Sequence, residues 1–281
     1  MAPPASAVLR PSLFEEKDQV TNLPSWSLIT QNYHQRFVLP FEFKTQLVSL
    51  SIGQAFVASK THSAEAKASA DGHATGATVW DAGVVLAEYI LTDEHRKTKD
   101  CKSCLDLGSG TGIVGLAAAA SGKFTRVLLT DLPSVTPLLN ENLHRNSSAV
   151  KNAEVQVQPL RWNNDSDVRD VLAMGPFDVI LGGDILYRPQ LVDPLLHVLC
   201  ALCGEHTNIL ISSSLLHSPE TMRIFSERAI ACGFSGVVLD CSKLRHYPSE
   251  EVKLIHLTKC ASVRVNMPKS KKRARSWQNQ A

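Results

Sequence analysis

The sequence predicts an α/β fold: one mostly parallel, seven-stranded sheet with an antiparallel last strand, helices on both faces, and a short N-terminal β-hairpin ahead of it. One pattern and two turns carry this expectation. Short apolar segments alternate with amphipathic ones from residue 76 onward, and a glycine-rich turn joins the first of these strands to a helix. The last two strand segments are joined by a turn too short for a parallel crossover.

Residues 1–21 mix proline, alanine and charged residues without apolar periodicity and read as a flexible tail. The extension over 22–58 contains a partial alternation at 36–51, with Phe41, Phe43 and Leu47 in phase and Pro40 interrupting; it reads as a hairpin covering the domain's entrance. The Ala/Ser-rich stretch 59–75 is a loop. The main domain spans 76–265 and opens with a helix over 79–91, with Thr78 as N-cap, Asp81 three residues on, and Trp80, Val84, Ala87 and Leu91 on one face. Strands are expected at 103–107, 126–130, 154–158, 177–182 and 208–212, each short and apolar as a strand buried on both faces should be. Helices at 113–121, 133–145 and 191–203 lie between them, the second turning Val135, Leu138, Leu139 and Leu143 inward and the third ended by Gly204. Ser218 and Pro219 open a further helix that Gly233 closes. Strands 235–240 and 252–258, with a turn near Pro248, must pair antiparallel.

Composition narrows the class. A chain of 281 residues with 44% hydrophobic content suits one core plus extensions. No apolar run approaches the roughly 20 residues that cross a bilayer, and the start lacks the apolar segment of a secretion signal, with Glu15 and Glu16 arguing against a transit peptide. The expectation is a cytoplasmic protein, with the nucleus open. Seven cysteines, an odd number, fit reduced thiols. The pairs Cys101/Cys104 and Cys200/Cys203 have metal-like spacing, but Cys104 enters a strand and the second pair sits on an apolar helix, so no metal is expected. The basic tail 266–281 carries Lys269, Lys271, Lys272, Arg273 and Arg275, which leaves the rest of the chain net negative. Nucleic acid is therefore not the expected partner, and the tail is either a solvated end or an import signal.

Chemistry concentrates at the carboxyl ends of the expected strands. In Leu105-Asp106-Leu107-Gly108-Ser109-Gly110-Thr111-Gly112, glycines at alternate positions let the backbone turn sharply and approach a nucleotide-like cofactor. Ile113 stands where the dinucleotide fingerprint places a small residue, so a pyrophosphate is not supported. Asp131, 23 residues beyond Gly108, can accept both hydroxyls of a ribose, or cap the helix that Pro133 starts. Trp80 and Trp162 are either faces for an adenine or core aromatics. After the fourth strand, Gly182-Gly183-Asp184-Ile185-Leu186-Tyr187 presents a carboxylate and a phenol. They suit an amine acceptor site, or else Asp184 is a cap and Tyr187 packs on the sheet.

With these motifs in place, the chain resembles the seven-β-strand protein-lysine methyltransferases, whose sheet is Rossmann-like, and within them the branch of the valosin-containing-protein lysine methyltransferase. The likeness covers 76–259. It rests on Gly76-Ala77-Thr78-Val79-Trp80-Asp81-Ala82, the glycine loop, Thr130-Asp131-Leu132, Leu160-Arg161-Trp162 and Asp184-x-x-Tyr187. The resemblance implies S-adenosyl-L-methionine as cofactor, held by Trp80, Asp106, Gly108, Ser109, Gly110, Asp131, Trp162 and Gly183, with Asp184 and Tyr187 catalytic. It implies a protein substrate of the chaperone, AAA ATPase or translation-factor kind, and a monomer is expected because the glycine loop, Asp131 and Trp162 make a complete site within one chain. Two departures stand out: Asp106 where the branch often has glutamate, and Gly183 where alanine is common, which would loosen that wall. A methyltransferase for bases or glutamine would show Asn-Pro-Pro-Tyr after the fourth strand, where this chain has Asp-Ile-Leu-Tyr. The remaining alternative is a catalytically idle cofactor-binding module, against which Asp184 and Tyr187 argue.

Overall fold

In a strand buried on both faces, successive side chains feed opposite cores. The computed structural model, which describes residues 6–14, 23–30, 37–55, 75–92, 102–216 and 219–260, shows where those faces lead. The strands are β1 (Ser6–Val8), β2 (Phe41–Lys44), β3 (Ser49–Ile52), β4 (Ser103–Leu107), β5 (Arg126–Asp131), β6 (Glu154–Pro159), β7 (Val179–Gly183), β8 (Asn208–Ser214), β9 (Phe234–Asp240) and β10 (Val252–Lys259). The helices are α1 (Asp81–Ile90), α2 (Ile113–Ala120), α3 (Thr136–Arg145), α4 (Asp165–Ala173), α5 (Val192–Leu202) and α6 (Pro219–Ala231). In β4, Cys104 enters one core while Leu105 and Leu107 enter the other, and in β7 Val179 and Leu181 are parted from Ile180 in the same way. The first core is completed by α1, α2 and the hairpin residues Phe43, Leu50 and Ile52, the second by α4, α5 and α6.

The sheet order is β1-β9-β10-β8-β7-β4-β5-β6, with β4 to β8 mutually parallel and β10 antiparallel to both β8 and β9. The seven expected strands are present, the last of them antiparallel to its neighbours, and β2 and β3 form the separate hairpin. Strand order reverses between β4 and β7, which opens a crevice outside their carboxyl ends.

Several expectations need correction. The stretch 1–21 is not wholly a tail: Ser6 to Val8 add an eighth strand against β9, and Leu9 and Phe14 are buried beside α6. Those two apolar anchors bracket a turn led by Pro11, a pattern too short to register as periodicity. The hairpin does not cover the domain's entrance. Ser51 N and Gly53 N donate to Asn146 Oδ1 and Asn142 Oδ1 at 2.8 and 2.7 Å, which lays the hairpin on the end of α3 and over the first core. Within it Leu47 is exposed in the turn and Val48 is buried instead. Trp80, not Thr78, is the N-cap of α1, and it makes no side-chain capping bond. Thr78 Oγ1 instead donates to Gln54 Oε1 at 2.7 Å. β6 is a half-exposed edge strand, not one buried on both faces. Helix α4 went unforeseen although Asn164 marks it plainly, its side chain accepting from Ser166 N and Asp167 N. The remainder of 1–21, nearly all of the 59–75 loop and the basic tail 266–281 lie outside the described residues.

Candidate active site

The crevice begins with the loop after β4. Gly108 and Gly110 have φ of 61° and 56°, the left-handed region that L side chains avoid. Space argues the same way, since a Cβ on Gly108 would stand 3.0 Å from Ile185 Cγ2 and 3.3 Å from Trp162 Cζ2. The loop is sewn to β5. Ser109 N donates to Thr130 O at 2.9 Å, Thr130 N donates to Ser109 Oγ at 3.0 Å, and Ser109 Oγ and Thr130 Oγ1 both donate to Asp106 O at 3.0 and 2.8 Å.

At the end of β5, Asp131 Oδ2 accepts from Gly110 N at 2.7 Å and Oδ1 from Leu132 N at 2.6 Å. Each carboxylate oxygen can in principle accept more than one bond. Because α3 begins only at Thr136 with Val135 as its N-cap, the helix-cap alternative for Asp131 falls away. Asp106 is fully buried. Its Oδ2 accepts from Gly115 N at 3.0 Å, whereas Oδ1 has no hydrogen-bond partner among the described residues. Burial pushes this carboxyl up to about 7, with the nearby Ser109 hydroxyl and the Gly115 N–H pulling the other way.

The opposite wall comes from β7. A Cβ on Gly183 would meet Val114 Cγ2 at 2.8 Å and Gly83 Cα at 3.1 Å, so this glycine permits close approach of α1 and α2 and does not loosen the wall as expected. Asp184 has φ of 58°, a left-handed turn unusual for a residue with a side chain. Its N–H donates to Ser212 O at 2.9 Å and its carboxylate accepts from the Ser214 backbone, so it caps no helix. Burial, opposed by the Ser214 bond and reinforced by the negative charge of Asp81, raises this carboxyl to about 7. Burial also raises the Tyr187 phenol, whose side chain hydrogen-bonds Thr75. Thr75 O in turn accepts Trp80 Nε1 at 2.8 Å, which ties the first motif to the fourth-strand motif.

One cavity of about 520 Å³ gathers all of these groups: Trp80, Asp106, Gly108, Ser109, Gly110, Asp131, Trp162, Gly183, Asp184 and Tyr187 line it. Sequence reasoning missed Thr75, Gly83 and Ile185 in the same wall, which carry no chemical signature of their own. It also missed Asn142, fully buried, whose Nδ2 donates to Gly53 O and Thr111 O at 2.9 Å and so braces the glycine loop. Among the described residues no group of three or more His, Cys, Asp or Glu is placed to hold a metal ion. Cys200 and Cys203 are thiols raised by burial, the first to about 11.

The residues fit a nucleoside cofactor that offers a hydrogen-bond donor. The orphaned Asp106 Oδ1 calls for a donor, and the glycine loop leaves room that a Cβ would fill. A family model described as lysine methyltransferase matches residues 62–225. EEF1A lysine methyltransferase 3 of Xenopus tropicalis is 34% identical over 151 residues, 54% of this chain and 63% of that protein. Protein N-lysine methyltransferase METTL21A of Danio rerio is 35% identical over 136 residues, 48% of this chain and 59% of that protein. The matched part thus spans about three fifths of those relatives. Among solved structures, that of the mitomycin 7-O-methyltransferase MmcR aligns with a TM-score of 0.46 and 14% identity over 71% of this chain and 59% of that one.

Proposed function

The chain belongs to the lysine methyltransferase family, and from that premise we propose that it transfers the methyl group of S-adenosylmethionine to lysine side chains of a protein. The observation that carries the proposal is the pairing, within one cavity, of a ribose-fitted carboxylate at Asp131 with a desolvated carboxylate and phenol at Asp184 and Tyr187.

Gly108, Ser109 and Gly110 admit the cofactor against the backbone, Asp131 takes its ribose hydroxyls, Trp80 and Trp162 flank it, Gly183 lets the walls close, and Asp106 offers its unpaired oxygen to the amino group. When bound, the cofactor supplies a methyl group on a sulfonium that a nitrogen lone pair can displace. The protein's own task is to produce that lone pair, since a free lysine of pKa about 10.4 is an ammonium at neutral pH. Asp184 accepts a hydrogen bond from the incoming nitrogen and points its remaining lone pair along the cavity, while the Tyr187 ring walls the channel and meets the cation before its proton leaves. A water-poor wall strengthens both effects.

The name of one relative directs attention to EEF1A as the first substrate, and the resemblance of the motifs adds chaperones and AAA ATPases. The enzyme works as a monomer in the cytoplasm, with access to the nucleus. Incubation with radiolabelled S-adenosylmethionine and either purified EEF1A or a cell extract, followed by mass spectrometry, tests the reading. Label on lysine is the expected result. Calorimetric cofactor binding with no label on any protein would establish the idle-module alternative instead.

A further inference from the structure

Behind the acceptor end of the cavity stands a carboxylate that the proposed function does not use. Glu251, the residue before β10, is 1% exposed, and among the described residues neither of its carboxylate oxygens has a hydrogen-bond partner. A buried, unpaired carboxylate works against folding, so a residue with no packing need for charge invites another explanation.

The sheet sets its position. β8 ends between β7 and β10. On one side the Asp184 carboxylate accepts from the Ser214 backbone, and on the other Leu215 N donates to Glu251 O at 3.0 Å while Val252 lies opposite Ser214. The N-terminus of α1 crosses above, where Ser212 Oγ donates to Ala82 O at 2.7 Å and Asp81 accepts from Leu28 N at 2.8 Å and from Ser27 Oγ. Asp81, Asp184 and Glu251 therefore surround the end of one strand. Glu251 is raised to about 7 by burial first and then by the like charges of Asp81 and Asp184. Other charged groups on these elements are engaged elsewhere. Glu88 of α1 accepts from the backbone N–H groups of Arg245, His246 and Tyr247, Asp240 of β9 accepts from Ser242, and Lys253 Nζ donates to Glu250 O.

We propose that Glu251 is a positioning residue of the acceptor site, acting through Asp184 to make that carboxylate the resting place for the proton of the incoming amine. The inference rests on the lysine reading. Carboxylates that repel one another in a dry site cannot all stay ionised, so a proton brought by the substrate is welcome there. At the step itself the ammonium N–H bond breaks and an O–H bond forms on Asp184, leaving the electron pair on nitrogen. The nitrogen then bonds the methyl carbon while the carbon–sulfur bond breaks, its pair staying on sulfur. Burial of the amine weakens its own hold on the proton and eases the first transfer.

Glu251→Gln and Glu251→Asp separate this role from a structural one. Removing the charge should move the acid limb of the kcat profile on a lysine substrate to lower pH by about one unit, because Asp184 then ionises beside the charge of Asp81 alone instead of beside both Asp81 and Glu251. Glu251→Asp keeps the charge and should keep the limb. In the cofactor-free protein, Glu251→Gln should also flatten the loss of Tm between pH 5 and 8. A limb and a Tm profile unchanged in Glu251→Gln would overturn the inference and leave the proposed function intact. A wild-type protein that binds cofactor yet methylates no lysine would take down both.

Discussion

The two ends of the cavity are built on opposite principles. At the β4–β5 end, polar groups satisfy one another: Ser109, Thr130, Gly110 and Asp131 close a hydrogen-bond net between the ends of two adjacent strands, and Asp106 Oδ1 is left without a partner among the described residues. At the β7–β8–β10 end, carboxylates from distant segments are brought together, and among the described residues both oxygens of Glu251 are left unpaired. A satisfied net is a rigid mould and suits binding. Repelling carboxylates store a preference for protons and cations, which suits chemistry.

Asp184→Asn puts that contrast to its severest trial. Keeping the size and removing the charge should lower kcat on the order of 10²-fold or more while cofactor affinity changes less than about fivefold. Equal losses in single-turnover kinetics and in calorimetry would assign Asp184 to the cofactor end. Asp131→Ala is the mirror experiment: cofactor affinity should fall by about 1.5–3 kcal/mol, with the saturated rate on a lysine peptide far less affected. Undiminished binding would remove the ribose assignment.

Gly183→Ala probes the seam between the ends. The added Cβ presses on Val114 and on the Gly83 backbone, so denaturant unfolding should show a loss of about 1–3 kcal/mol. An Ala variant as stable as the parent would mean that α1 can give way. The gentlest test is pH alone. Asp106, Asp184 and Glu251 all have carboxyls raised to about 7 in the fold. The folded state therefore holds protons that the unfolded chain has released. The stability they lend is full below pH ~4 and is lost as pH rises through about 7, so Tm of the isolated protein should decline across that window. A Tm that climbs from pH 5 to 8 would show these groups ionised throughout.

Much of the architecture was legible because its signals are local. Strand limits such as Ser103 to Leu107 follow from apolar runs between turn residues, and the carboxyl-end motifs sit where such strands must end. Local marks that were passed over, such as Asn164 ahead of α4, belong to the same class.

The sequence by itself determined the fold class, the glycine loop, Asp131 and the Asp184-x-x-Tyr187 pair, since period-two burial, backbone freedom and strand-end placement are properties of short segments. Only the tertiary structure decided that Ser27 and Leu28 clamp Asp81, that Gly183 serves helix packing, and that Glu251 stands unpaired behind Asp184. Those facts arise when segments far apart in the chain meet at the end of β8, where burial and like charge, neither readable from one residue's neighbours in sequence, set what a carboxylate does.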